Sequence, residues 1–216
     1  MLQLKQWKAR GILFDMDGTL IDSTAKVEQI WRTWCERHDV DLAAVMAIQQ
    51  GVRSEDTIRA VAPHLDVAAE CRWIDEMESA DCDGIVVIPG ARSFLAKIPS
   101  ARWTIATSAS VAPAIARLNF CHIPIPATMV CADHVSLGKP APEIYRLAAA
   151  RIGLSPSDCI AFEDAPAGVL SALSAGCQVI QIGGQQPLHP DVLAVFADFQ
   201  HLDIEIKDEL LISLRE

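Results

Sequence analysis

The chain is poor in basic residues. Its 216 residues include 18 lysines and arginines against 28 aspartates and glutamates, which gives a formal net charge of -10 at pH 7. Binding to a nucleic-acid backbone depends on many cationic side chains that release counterions, so this balance argues against a nucleic-acid partner. An anionic small substrate is compatible with the charge only if a metal ion and a few placed cations reverse the local field.

The chain also lacks the patterns of disulfide-rich, zinc-binding and membrane proteins. Its seven cysteines are odd in number, and no two of them have C-x-x-C spacing, so we predict reduced thiols. No uncharged apolar run reaches membrane-spanning length, and residues 1–10 lack the apolar segment of a signal peptide. We expect a cytoplasmic protein without a membrane partner, either a monomer or a weak oligomer.

Short apolar runs, each followed by polar residues, alternate with helical patterns along much of the chain. The runs lie at 12–14, 103–106, 129–131, 160–162 and 179–182, and the helical patterns at 91–98, 111–118, 142–152 and 166–175. Continuous apolar strands that alternate with helices predict an α/β fold with a doubly wound parallel sheet. In such sheets the ligand site lies beyond the carboxyl ends of the strands.

One long stretch interrupts this alternation. Residues 24–88 are mostly compatible with helix, and Pro89 favours an extended segment just before it. We therefore expect residues 1–23 and 89–216 to form a core domain, with residues 24–88 inserted as a helical cap domain. The weaker patterns of the tail predict a short strand near 196–199 and a helix near 205–214.

Asp15 and Asp17 follow the first apolar run. Their spacing places both on one side of an extended segment, about 7 Å apart, so that one can attack phosphorus while the other serves the leaving oxygen. A turn or capping role remains an alternative, because aspartate is common where strands end. A calcium loop is excluded, since Leu20 and Lys26 stand where that loop needs glycine and glutamate.

Glu163 and Asp164 form a second carboxylate pair at another strand end. One pair alone could cap the following helix, but two pairs at the same edge of a sheet would repel each other strongly. A hard divalent cation between them removes that repulsion, and ligands made only of oxygen favour magnesium. The sequence therefore predicts a Mg²⁺ site at this edge.

Two further motifs offer groups that could hold a phosphate. Lys139 lies in Gly-Lys-Pro, which is not part of a Walker motif, and by itself it could equally be a solvated surface lysine. Thr107 and Ser108 supply hydroxyls and loop amides at a strand end, and ordinary helix capping is the competing interpretation.

Together these motifs resemble the signature of the haloacid dehalogenase superfamily. The matching segments are D-x-D-G-T at 15–19, the Thr-Ser pair at 107–108, G-K-P-x-P at 138–142 and E-D-A-P-A-G at 163–168. Members with a helical cap between the first two motifs match the insertion at 24–88. More narrowly, the chain is similar to bacterial sugar-phosphate phosphatases and to fungal glycerol-phosphate and deoxyglucose-phosphate phosphatases.

The resemblance implies covalent catalysis in two steps. Asp15 would attack phosphorus and form an aspartyl-phosphate, while Asp17 would protonate the departing alkoxide and later activate water. Ser108, or alternatively Thr107, would hold the phosphoryl oxygens together with Lys139. Because a halide leaving group needs no proton, the presence of Asp17 favours phosphate esters over carbon–halogen bonds.

The resemblance also implies the metal ligands and the substrate contacts. Mg²⁺ would be bound by the carboxylates of Asp15 and Asp164, by the backbone carbonyl of Asp17, and by Glu163 directly or through water. Asp22 and Arg53 are further candidates for substrate binding. Arg53 lies in a loop similar to the specificity loop of sugar-phosphate relatives, although it could equally be a surface residue at a helix start.

The expected function is Mg²⁺-dependent hydrolysis of small sugar or polyol phosphate monoesters. A phosphoglucomutase-like phosphotransferase is the enzymatic alternative. However, Val27 stands where such relatives have a histidine, and the lysine that they carry before the second connection to the cap has no counterpart between residues 72 and 84. A non-catalytic binding protein on the same fold has less support, because every motif residue is present. The cap aromatics Trp31 and Trp34 have the spacing of core residues, although a place in the pocket is possible.

Overall fold

The computed structural model describes residues 6–214. The strands are β1 (Gln6–Ala9), β2 (Gly11–Phe14), β3 (Ile21–Asp22), β4 (Val86–Val87), β5 (Trp103–Ile105), β6 (Cys159–Glu163), β7 (Gln178–Ile182), β8 (Ala194–Phe196), β9 (Leu202–Ile206) and β10 (Leu210–Leu214). The helices are α1 (Thr24–His38), α2 (Leu42–Met46), α3 (Ser54–Val61), α4 (Val67–Ala80), α5 (Ala91–Leu95), α6 (Val111–Phe120), α7 (Glu143–Arg151) and α8 (Pro166–Ala175). Within the described residues, no helix is long and apolar enough to cross a membrane.

A parallel sheet of five strands forms the centre of the fold, in the order β5-β2-β6-β7-β8. Every residue of β2 and β6 is buried. Successive residues of β2 enter two different hydrophobic clusters: Phe14 packs in one and Leu13 in the other. The sheet is therefore covered on both faces, which explains its continuous apolar strands. The predicted α/β fold class is confirmed.

Four helices, α1 to α4, lie between the paired strands β3 and β4. Residues of this stretch form a hydrophobic cluster of their own, which includes Trp34, Val45, Ile58 and Ile74. The antiparallel pairing of β3 with β4 holds the two connections to the rest of the chain side by side. These features support the predicted division, and we propose that residues 24–88 act as a cap on the core.

The structure corrects two sequence predictions about strands. Residues 129–131 do not form a strand, because only Val130 makes an isolated bridge, to Ala106. The strand expected at 196–199 is β8, which ends at Phe196, while Phe199 is buried in the following loop, where its N–H donates to the carbonyl of Pro89.

The helix predicted at 205–214 is also wrong. That segment contributes to β9 and β10, which form an antiparallel hairpin and join β1 in a three-stranded sheet. The physical reason is the alternation of buried and more exposed side chains along both strands. Leu202 and Ile204 are buried on one strand and Leu210 and Ile212 on the other, which is the two-residue period of a half-buried strand.

Candidate active site

The predicted carboxylates meet at the carboxyl edge of the central sheet. Asp15 directly follows β2, and Glu163 is the last residue of the neighbouring strand β6. Lys139 reaches between them. Its Nζ atom lies 2.5 Å from Asp15 Oδ1 and 2.6 Å from Glu163 Oε1, and its side chain is fully buried. The structure therefore places Lys139 inside the site and not on a solvated surface.

Glu163 accepts hydrogen bonds from four donors. Its Oε1 accepts from Lys139 and from the Tyr145 hydroxyl at 2.7 Å, while Oε2 accepts from the backbone N–H groups of Asp164 and Ala165. The Gly of the E-D-A-P-A-G motif makes room for this carboxylate, because a Cβ atom on Gly168 would lie 1.7 Å from Glu163 Oε1. Glu163 thus anchors Lys139 as well as bordering the acidic cluster.

Asp164 lies at the cleft side of the same edge. Its Oδ1 accepts from the Thr19 hydroxyl at 3.2 Å, and its Oδ2 accepts from the Gln50 amide of the cap at 3.3 Å. Gly18 has a positive φ of 87°, and a Cβ atom there would lie 2.0 Å from Asp164 Oδ2. Only glycine fits both the conformation and the close approach. The D-x-D-G-T loop and Asp164 are therefore packed as one unit.

These carboxylates can hold a divalent cation. Ligand oxygens of Asp15, Glu163 and Asp164 lie within 4.8 Å of one another. Burial raises the pKa of Asp15 well above its usual value; Lys139 opposes the shift, and the neighbouring acids add to it. Burial and Glu163 likewise raise the pKa of Asp164 to about 7. One lysine does not neutralise three neighbouring acids, two of them buried and Asp164 half-buried, so the excess negative charge and the oxygen donors fit a hard cation.

Lys139 remains charged in this setting. Burial lowers its pKa, but the carboxylates of Asp15 and Glu163 outweigh that effect, so that the pKa lies above its ordinary value. An ammonium group held beside Asp15 can stabilise negative charge that develops on a transferring group.

Asp17 faces the same cleft from the loop after β2. The Ser23 hydroxyl donates to its Oδ1 at 2.6 Å, and Arg117 Nη1 donates to its Oδ2 at 2.8 Å. Arg117 belongs to α6 and also lies 2.8 Å from Glu78 of α4. Burial raises the pKa of Glu78 to about 7, although Arg117 opposes this shift. Sequence reasoning missed Arg117 and Glu78.

The two hydroxyl candidates have different contacts. Thr107 is buried, and its Oγ1 accepts from the N–H of Ala109 at 3.1 Å. Ser108 donates from Oγ to the carbonyl of Gly51 in the cap at 2.8 Å. Both line the cleft, so the structure brings the Thr-Ser pair to the carboxylates without distinguishing their roles.

A cleft of about 510 Å³, counted with its open mouth, lies between core and cap. It is lined by Asp15, Asp17, Val27, Trp31, Gln49, Gly51, Val52, Ser54, Glu78, Thr107, Ser108, Ala109 and Arg117. Trp31 therefore borders the cleft although it is buried, whereas Trp34 packs in the cap and donates from Nε1 to Glu70 at 3.0 Å. The lining is mostly polar, and it includes the carboxylates of Asp15 and Asp17.

Two of the predicted substrate contacts lie away from this cleft. Asp22 is exposed, and its Oδ1 accepts from the N–H of Thr24. Arg53 is buried and donates to both carboxylate oxygens of Asp56, at 2.7 and 3.0 Å, and to the carbonyl of Val135 at 3.3 Å. Arg53 borders an adjoining cavity, and its contact with Val135 joins the cap to the core.

Comparisons with known proteins agree with this geometry. A family described as haloacid dehalogenase-like hydrolase matches residues 9–176. Hexitol phosphatase A of Escherichia coli is 40% identical over 180 residues, which cover 81% of this chain and 83% of that protein. Glycerol-1-phosphate phosphohydrolase 1 of Saccharomyces cerevisiae is 30% identical over 190 residues, covering 81% and 75%. The crystal structure of CbbY from Rhodobacter sphaeroides in complex with phosphate has a TM-score of 0.75 at 22% identity, covering 88% of this chain and 95% of that one, and shows the shared fold.

The family match spans most of the chain, and the first relative exceeds 30% identity over most of both proteins. The resemblance predicted from the four motifs is therefore confirmed, and so is the prediction of a hydrolytic enzyme. The chain belongs to the haloacid dehalogenase-like hydrolases.

Proposed function

We propose that this enzyme is a Mg²⁺-dependent phosphatase that hydrolyses small sugar or polyol phosphate monoesters through an aspartyl-phosphate on Asp15. The observation that carries the proposal is the Asp15 carboxylate, which lines the cleft while the buried Lys139 holds it beside Asp164. The names of the relatives, hexitol phosphatase and glycerol-1-phosphate phosphohydrolase, support a phosphate ester of a polyol as substrate.

The first step is attack by a carboxylate oxygen of Asp15 on phosphorus. The new bond forms between that oxygen and phosphorus, the bond from phosphorus to the ester oxygen breaks, and the electron pair stays with the leaving oxygen. Asp17 gives its proton to that oxygen, so an alcohol departs. The Ser23 and Arg117 contacts fix both oxygens of Asp17 and aim the carboxyl at the cleft.

In the second step Asp17, now ionised, takes a proton from water as the water attacks the phosphorus of the aspartyl-phosphate. The Asp15–phosphate bond breaks, which releases inorganic phosphate and restores the carboxylate. Lys139 stabilises the phosphoryl oxygens, and Thr107 or Ser108, both of which line the cleft, donates to them. The cap reduces the access of bulk water to the intermediate.

The acidic cluster would hold the ion through the carboxylates of Asp15 and Asp164 and the backbone carbonyl of Asp17. Glu163, whose two oxygens already accept from four donors, would act on it through water. Bound there, Mg²⁺ would neutralise charge on the phosphoryl oxygens as a Lewis acid.

Hydrolysis has more support than phosphotransfer between sugar hydroxyls. The position that carries a histidine in mutase relatives is Val27, an apolar residue at the cleft wall. The stretch 72–84 contains no lysine. The charged residue of this stretch that lines the cleft is Glu78, an acid, which cannot take the part of that lysine.

The test is release of inorganic phosphate from a panel of hexitol, glycerol, hexose, nucleotide and phosphoglycolate esters, with Mg²⁺ and with excess chelator. We expect Mg²⁺-dependent release that is fastest with sugar or polyol phosphates. The variant under test is Asp15→Asn. Its matched control is Asp203→Asn, which changes a carboxylate distant in sequence from the motifs. Release by Asp15→Asn at the wild-type rate, or isomerisation of a sugar phosphate without release, would defeat the proposal.

A further inference from the structure

The cleft wall formed by α4 and α6 carries a charged pair that none of the family motifs includes. Glu78 of the cap is 7% exposed and Arg117 of the core is 2% exposed, and both line the cleft. Arg117 Nη1 donates to Asp17 Oδ2, while Nη2 lies 2.8 Å from Glu78 Oε1. The pair therefore joins the cap to the side chain that we assign as acid and base.

The donors of Arg117 are only partly used. Nη2 lies 2.8 Å from Glu78 Oε1 and is paired with it, while the buried Nε has no hydrogen-bond partner among the residues that the structure describes. A buried N–H group left without an acceptor destabilises the fold, so such groups are normally satisfied. Because Arg117 borders the cleft, an oxygen of a bound ligand can supply the missing acceptor.

The charges of the cleft indicate what kind of ligand fits. Among the residues that line it, Arg117 is the cation, and it already lies between two carboxylates, Asp17 and Glu78. Lys139 behind the cleft is paired with Asp15, and Arg53 donates to Asp56 in the adjoining cavity. Among the described residues that line the cleft, there is therefore no cation without a carboxylate partner that could receive a second anion.

A hydroxyl group matches these neighbours better than an anion does. It can accept from Nε of Arg117 and donate to Glu78 at the same time. The side chains of Gln49 and Ser54, which also line the cleft, offer further uncharged donors and acceptors. A carboxylate or a second phosphate would instead face Glu78 at short range, in a setting where like charges repel strongly.

We propose that Glu78 and Arg117 form the leaving-group subsite, which selects phosphate monoesters of uncharged polyhydroxy alcohols over esters that carry a second anionic group. This inference rests on the proposed phosphatase function and adds the residues that determine its specificity.

The experiment compares kcat/KM for glycerol 1-phosphate with kcat/KM for phosphoglycolate, in wild type and in Glu78→Gln, at a pH above the pKa of Glu78. The variant removes the charged acceptor for hydroxyls and the charge that repels a carboxylate. The ratio should therefore fall by about tenfold or more, mostly through opposite changes in KM. Glu76→Gln removes the same charge from the exposed side of α4, and it should keep the wild-type ratio.

Three outcomes separate the possibilities. A lower ratio in Glu78→Gln alone supports the subsite. An equal loss of kcat/KM for both esters means that Glu78 only stabilises the cap–core contact, and this outcome overturns the inference. Wild-type enzyme that releases phosphate from neither ester, nor from other monoesters, refutes the proposed function itself.

A second variant covers the case in which Glu78→Gln does not fold. Glu78→Asp keeps the charge and shortens the side chain, so we expect continued rejection of phosphoglycolate with a raised KM for glycerol 1-phosphate. A raised preference for phosphoglycolate in Glu78→Asp would contradict the proposal.

Discussion

Replacement of Lys139 by methionine should destabilise the protein strongly as well as inactivate it. The ammonium group makes two short contacts, 2.5 Å to Asp15 and 2.6 Å to Glu163, and all three side chains are buried. Hydrogen bonds to charged groups contribute about 1.5–3 kcal/mol each, which gives about 3–6 kcal/mol for the two. This range agrees with the loss of about 3–5 kcal/mol expected when one partner of a buried pair is removed.

The assay is thermal and denaturant unfolding of Lys139→Met in chelator, followed by circular dichroism. For a chain of this size, a loss of 1 kcal/mol lowers Tm by about 2–4 °C, so a loss of about 3–5 kcal/mol should lower Tm by about 6–20 °C. The matched control is Lys97→Met, which breaks a surface pair with Asp203 and should cost about 0–1 kcal/mol.

Activity gives a second measure of the same change. Loss of one group that stabilises the transferring phosphoryl oxygens lowers kcat by about 10²–10³. A Lys139→Met protein with the stability of wild type would refute the argument that Lys139 holds two buried carboxylates in place. Wild-type kcat would refute its role at the phosphoryl group.

Three more outcomes follow from the geometry. Gly168→Ala should lose about 1–3 kcal/mol of stability and much of its activity, because the new Cβ overlaps Glu163, whereas wild-type behaviour would mean that the carboxylate is free to move. In metal-free protein, Tm should fall as pH rises from about 4 to 7, because the raised pKa values of Asp164 and Glu78 make the folded state bind protons more tightly than the unfolded chain. Mg²⁺ should then raise Tm more at the alkaline end of this range. A Tm that does not change with pH would contradict the assignment of buried acids. Arg53→Ala should change kcat/KM for all esters by a similar factor, because its guanidinium binds the cap and core and not the cleft, and a change confined to one substrate would show direct recognition.

The motif residues could be predicted because a parallel sheet brings the ends of its strands to one edge. Asp15 and Glu163 are far apart in sequence, but β2 and β6 are neighbours in register, so their carboxyl ends meet. The same rule places Thr107 after β5, on the other side of β2. The apolar runs also predicted the fold class, because continuous apolar strands are typical of a parallel sheet that is covered on both faces.

The cleft wall formed by α4 of the cap and α6 of the core could not be predicted from local patterns. Arg117 and Glu78 meet because α4 packs on α6, and nothing in either segment specifies that pairing. A weaker signal was present in each helix. Arg117 is the only charged residue in α6, and Glu78 continues the buried four-residue spacing of Glu70 and Ile74 in α4. A charged residue on a buried helix face indicates a partner, although it does not identify that partner.

The tail shows how a short segment can mislead. Residues 205–214 contain acidic and apolar residues that are compatible with a helix, but Leu210 and Ile212 alternate with exposed or half-buried neighbours. The hairpin depends on pairing with β1 and with the part of β9 that precedes residue 205, and a local pattern within 205–214 does not contain that information.

The most direct test of the central claim is to trap the phosphorylated enzyme. A radiolabelled sugar or polyol phosphate is mixed with the enzyme and Mg²⁺, the reaction is quenched in acid after milliseconds, and the labelled peptide is identified by mass spectrometry. We predict label on Asp15, its loss with time as inorganic phosphate appears, and none in Asp15→Asn. Label on a different residue, or phosphate release by Asp15→Asn at the wild-type rate, would contradict the account.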